Sequence, residues 1–205
     1  MKMLGSLRLI SVLALLTGCT AFQISTELHR GRAALLRGMP AAAITHFEQL
    51  TALDGNASYS QLHEGAWTYL GRAYYDAKKY PEARKALERA VAINRDDALA
   101  KLYLGLTLVR LGDHEAGRKE ILLGLEGLHD SLEYIAYYTP VGRYWDPAGQ
   151  IRSELQVTQR EVKATNPNLD KLFGRLEGLA GSVEQEIDLA SRDESRDRNR
   201  RSGGE

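Results

Sequence analysis

Residues 66–96 read AWTYLGRAYYDAKKYPEARKALERAVAINRD. Trp67, Leu70, Gly71 and Tyr74 recur at the spacing of one helical face, and Ala83, Leu87 and Ala90 do the same further on. Between them, Lys78 to Pro81 reads as a break, because proline cannot continue a helix. The stretch therefore predicts two helices joined by a tight turn. Gly71 and Ala83 are small where the helices must cross closely. A mid-helix glycine costs ~1 kcal/mol against alanine and makes sense only where close approach is gained.

The pattern repeats. Downstream it returns as Lys101, Leu104, Gly105 and Leu108, then Gly117, Ile121 and Gly124. Upstream it appears as Glu27, Arg30, Gly31 and Ala34, then Ala43, Phe47 and Leu50. This spacing resembles the tetratricopeptide repeat, a helix-turn-helix unit that stacks into a right-handed superhelix. The middle copy carries the Trp, Leu-Gly, Tyr and Ala of that motif, with Arg95 where a closing proline is usual. Three repeats are assigned, 24–57, 64–97 and 98–131, with an insertion at 58–63. The resemblance spans 24–131, about half of the chain, and predicts an all-α solenoid.

Ahead of the repeats, Lys2 and Arg8 precede an uncharged run, LISVLALL (9–16), and then Thr17-Gly18-Cys19, the only cysteine. A positive start, a short apolar run and small residues describe a signal peptide, and the run is too short for a permanent membrane span. Leu16-Thr17-Gly18-Cys19 resembles the lipobox of bacterial lipoproteins. The resemblance implies cleavage after residue 18 and a diacylglyceryl group on Cys19. It leaves 19–23 as a lipidated N-terminus and short tether. Thr20 in place of Asp implies outer-membrane sorting, with the protein facing the periplasm.

Past the repeats, 132–191 reads as an aromatic loop and C-terminal helices. Asp130 and Ser131 look like helix starters, with Leu132, Ile135 and Tyr138 as a following apolar stripe. The Pro- and Gly-containing loop 139–149 carries Tyr144 and Trp145, which serve either as a cap on the third repeat or as a partner-binding patch; the cap is preferred. A helix at 150–165 is followed by a break at Asn166-Pro167-Asn168. In the last helix Leu169, Phe173, Leu176, Ala180, Val183, Ile187 and Ala190 follow heptad spacing. That seam serves packing within the chain or, as the alternative, self-association of a structural lipoprotein. Gly174, Gly178 and Gly181 weaken the helix, which argues that it packs on something. The tail 192–205, part of SRDESRDRNRRSGGE after Ala190, lacks apolar residues and is expected to be disordered.

Lys plus Arg number 27 and Asp plus Glu 27 in 205 residues, so nothing in the net charge argues for nucleic acid. No phosphate loop, His-Glu-x-x-His or serine elbow occurs. The His-Glu neighbours in ITHFEQL and SQLHEGA read as solvated helix faces. The chain is expected to have no catalytic residues, no metal, no cofactor and no enzymatic activity.

What remains is recognition. In the resembled family the concave groove is lined by first-helix residues outside the inter-helix core. Carried onto this chain, these are His29, Arg32, Leu36, Tyr69, Arg72, Tyr75, Asp76, Tyr103, Leu106 and Arg110. Tyrosine mixed with arginine suits an extended peptide bearing apolar and acidic residues. The expected protein is a lipid-anchored envelope adaptor for a protein or peptide partner in outer-membrane, pilus or cell-wall machinery, itself monomeric, with its lipid in the membrane.

Overall fold

The computed structural model describes residues 3–164 and 167–202, with side chains from Thr20 onward except that of Asp170. Its helices are α1 (Met3–Leu36), α2 (Pro40–Asp54), α3 (Ala66–Asp76), α4 (Tyr80–Ile93), α5 (Ala98–Arg110), α6 (His114–Tyr138), α7 (Gln150–Lys163) and α8 (Leu169–Ser202), with a 3-10 turn at Gly142–Tyr144. The fold is all-α. α1/α2, α3/α4 and α5/α6 form three helix-turn-helix pairs, and each pair stacks on the next.

One local device closes all three pairs. Gly38, Lys78 and Gly112 occupy equivalent turn positions, and all are left-handed, at φ 67°, 59° and 90°. In each turn the next residue's amide reaches back into the preceding helix: Met39 to the Ala34 carbonyl, Lys79 to Tyr74 and Asp113 to Leu108, each at 2.9 Å. This Schellman geometry satisfies carbonyls that the helix end would leave bare.

The close crossings predicted from glycine are present. A Cβ added at Gly71 would lie 2.7 Å from Leu87 Cδ2, and one at Gly105 would lie 2.6 Å from the Ile121 amide nitrogen. Phe47, Leu87 and Ile121 stand at the same interval after Gly31, Gly71 and Gly105, and all three are fully buried. Between the first and second repeats, the Phe47 and Tyr69 rings stack at 5.3 Å.

Four sequence expectations change. No helix starts at Asp130: α6 continues to Tyr138, because Gly124 and Gly127 fit against Leu102 and Ala98 of α5 and need no break. Leu132 and Ile135 are buried, but Tyr138 is 75% exposed and leaves the stripe. The tether expected at 19–23 is part of α1. The tail expected to be disordered from 192 is helical to Ser202. Its charges find partners: Trp145 Nε1 donates to Glu194 at 2.7 Å, and Asp197 receives Arg143 at 2.7 Å and Arg201 at 2.9 Å. Pro167 and Asn168 of the expected break are non-helical; residues 203–205, Thr165 and Asn166 lie outside the described residues, as does the Cys19 side chain.

Candidate functional site

The first helices of the three pairs, α1, α3 and α5, face α8. Helix α8 packs on α5 and α7 and reaches α3 and α1 through ion pairs, and it carries Phe173, Leu176, Ala180, Val183 and Ile187. All five are at most 6% exposed. They share one buried cluster with Leu102, Tyr103 and Leu106 of α5. The heptad seam is thus consumed inside the chain, and self-association through it has no free surface.

The charges are matched as well as the apolar surface. Arg110 of α5 reaches Glu177 at 3.0 Å and lies 4.1 Å over the Phe173 ring. Tyr75 of α3 also donates to Glu177. Arg72 of α3 pairs with Glu184, and Arg32 of α1 with Asp188. Arg32 and Arg72 each follow the crossing glycine of their repeat, so the fold itself generates an arginine ladder. Three acids spaced along one face of α8 answer it.

The ten residues assigned to the groove therefore divide four ways. Arg32, Arg72, Tyr75 and Arg110 meet α8 directly. Asp76 bonds Arg72 within α3 at 3.4 Å. Tyr69, Tyr103 and Leu106 are at most 4% exposed and belong to the core; the Tyr69 hydroxyl donates to Glu64 at 2.7 Å. Burial pushes the Tyr103 phenol up to about 12. His29 and Leu36 are exposed and line a cleft of about 580 Å³ between α1 and the Ser191–Ser195 turn of α8, while Asp76 and Arg110, also exposed, border a second of about 330 Å³ beside Glu177. The groove is a correction to the sequence reading in occupancy and in form: its occupant is a helix of the same chain, not an extended peptide.

The aromatic loop folds inward at Trp145. Trp145 is 1% exposed and tied to Glu194, and Tyr144 is half-buried beside Arg143. Asp146 pins the loop to the start of α7, accepting from the amides of Ile151 and Arg152 at 3.0 Å each. Just before the loop, Tyr134, Tyr137 and Tyr138 of α6 are exposed.

Sequence reading did not anticipate Glu177, Glu184 and Asp188 as groove partners. A signal existed for two of them: Glu177 and Glu184 follow the seam residues Leu176 and Val183 at the e positions, where coiled-coil helices carry pairing charges, whereas Asp188 stands further out. Among the described residues, no group of three His, Cys, Asp or Glu side chains could hold a metal ion, and no helix is long and apolar enough to cross a membrane.

Stacked helix pairs with glycine-mediated crossings and a concave arginine ladder define a helical-repeat solenoid. A family model described as TPR repeat matches residues 71–112, which run from the crossing glycine of the second pair to the turn of the third. That stretch is a TPR repeat by sequence, and the first and third helix pairs share its crossing glycine and its left-handed turn. The chain is also similar to a solved structure titled "Crystal structure of MamA", at 21% identity and a TM-score of 0.42, over 86% of this chain and 81% of that one. No curated protein matches the chain.

Proposed function

We propose that this chain is a lipid-anchored adaptor of the bacterial envelope that holds a protein partner on its repeat array. The observation that carries the reading is the arginine ladder of Arg32, Arg72 and Arg110 on a concave face whose bound segment is an acidic polypeptide helix. Such a surface suits polypeptide recognition, because arginine and tyrosine supply directional contacts on a rigid scaffold.

The anchoring half rests on Leu16-Thr17-Gly18-Cys19. Acylation at Cys19 would place two or three chains on the residue that opens the mature protein. Each buried methylene contributes ~0.8 kcal/mol, so a single chain binds marginally and several bind stably. Thr20 after the cysteine favours the outer membrane and a periplasm-facing array. The reading assigns the chain no catalysis and no cofactor; its work is to position a partner near a bilayer.

The test has two arms. Cells expressing the chain are fed labelled palmitate: the wild type is expected to take it up, and the Cys19→Ser variant is not. Crosslinking in whole cells is expected to capture an envelope protein. Palmitate that fails to enter the wild type ends the anchoring half, and capture of nothing ends the adaptor half.

A further inference from the structure

The helix in the groove carries three glycines that nothing in its packing requires. A Cβ added at Gly174, Gly178 or Gly181 meets no atom within 4 Å. The repeat glycines Gly31, Gly71 and Gly105 differ, since each would collide with a neighbouring helix. Sequence reading took the α8 glycines to mean that the helix must pack on something, and it does, but the glycines themselves face open space. Each glycine lowers the helix-to-coil ratio about fivefold against alanine, so three lower it about a hundredfold. Helix α8 is complementary to the groove in shape and charge, yet intrinsically weak.

We propose that α8 is a displaceable occupant of the concave groove, and that the groove's external ligand is an acidic amphipathic helix of another protein. This deepens the adaptor reading and rests on it. The chemistry of that ligand is read from the segment already seated there. It needs an aromatic or large aliphatic group to lie beneath Arg110. It needs carboxylates at the positions of Glu177, Glu184 and Asp188 to meet Arg110, Arg72 and Arg32. It needs an apolar stripe between them to replace Leu176, Val183 and Ile187. An external helix with better helix-forming residues in place of the three glycines enters the same contacts without their entropy loss. Binding is weakened by the fraction of time α8 holds the site, so strengthening α8 weakens capture.

The probe is a fluorescein-labelled peptide of residues 169–191, titrated into the full-length chain in mild detergent and followed by anisotropy. Saturable binding to the wild type is expected. The Gly174→Ala/Gly178→Ala/Gly181→Ala chain should melt higher and bind at least tenfold more weakly. A peptide with Glu177→Lys, Glu184→Lys and Asp188→Lys should bind the wild type at least tenfold more weakly than the native peptide. The proposal is overturned by a folded wild type that binds no peptide at millimolar concentration, or by equal affinity for wild type and triple variant. It is overturned as well by a dimer of the chain that the peptide dissolves, since the occupant is then a second copy's helix. Capture of an envelope partner in cells without peptide exchange removes the groove from the mechanism and leaves the adaptor standing.

Discussion

Arg72 on α3 and Glu184 on α8 face each other across the groove, with side chains only 14% and 6% exposed. They lie far apart in sequence and join the second repeat to the last helix. Removing charges from water is costly, and the pair offsets that only while both members are present. Arg72→Ala leaves Glu184 buried without its cation, and should destabilise the chain by ~3 kcal/mol. The double variant Arg72→Met/Glu184→Leu removes both charges and should recover most of the loss. Urea unfolding of the three chains checks this; a double variant no better than the single one would show that the pair is not the source.

The turn of the second repeat holds a left-handed residue that is not glycine. Lys78 sits at φ 59°, where Gly38 and Gly112 stand in the neighbouring repeats. An L side chain in that region costs roughly 1–2 kcal/mol, and part of this returns through glycine's greater freedom when unfolded. Lys78→Gly is expected to raise stability by about 0.5–1 kcal/mol, read as an upward shift of the thermal midpoint. Lys78 is exposed, so lost packing does not confuse the result.

The repeat architecture was legible because it is local. Gly71, Leu87 and the Lys78 turn lie within one repeat, and helical periodicity plus a breaker reports them directly. The third repeat's overrun into Leu132 and Ile135 was not legible, since Asp130 and Ser131 carry the residue types of a helix start without its geometry. Arg32, Arg72, Tyr75 and Arg110, named from the family resemblance, do meet α8, whereas Tyr69, Tyr103 and Leu106 are buried in the core. What periodicity could not report was the occupant. Pairing Arg32 with Asp188 is a long-range event, and the heptad seam of α8 reads the same whether it faces its own chain or a copy. The bond that holds the buried Trp145 was equally out of reach, because its acceptor is Glu194, in a stretch whose composition argued for disorder.

Asp97 caps α5 by accepting from the Ala100 amide at 2.8 Å and takes a second bond from Thr68 at 2.5 Å. It is 1% exposed, and burial pushes its carboxyl from 3.8 up to about 7. The folded chain thus holds a proton that the unfolded chain releases. This contribution is complete below pH 3.8, declines as pH rises towards about 7, and is absent above it. The span corresponds to on the order of 4 kcal/mol. Asp97→Asn keeps a good N-cap and cannot ionise. Its stability should fall less between pH 4 and pH 8 than that of the wild type, as followed by urea midpoints across that range. The slope that remains belongs partly to Glu64, whose carboxyl burial also pushes up. Parallel slopes for the two chains would remove Asp97 as the proton carrier.

Two glycines separate the two uses of the residue in this molecule. At Gly71 a Cβ would come 2.7 Å from Leu87 Cδ2 and 3.3 Å from the Leu87 backbone nitrogen. The α3/α4 crossing must widen to admit it, and overpacking of this kind typically costs about 1–3 kcal/mol. At Gly178 the same atom meets open space. Gly71→Ala should therefore destabilise by about 2 kcal/mol, whereas Gly178→Ala should stabilise by up to ~1 kcal/mol through helix propensity alone. Both changes add one methyl group to a helix interior, so propensity by itself predicts the same sign for both. Opposite shifts in the unfolding midpoint would assign Gly71 to the crossing of stacked helices and Gly178 to the weakness of the helix that lies across them.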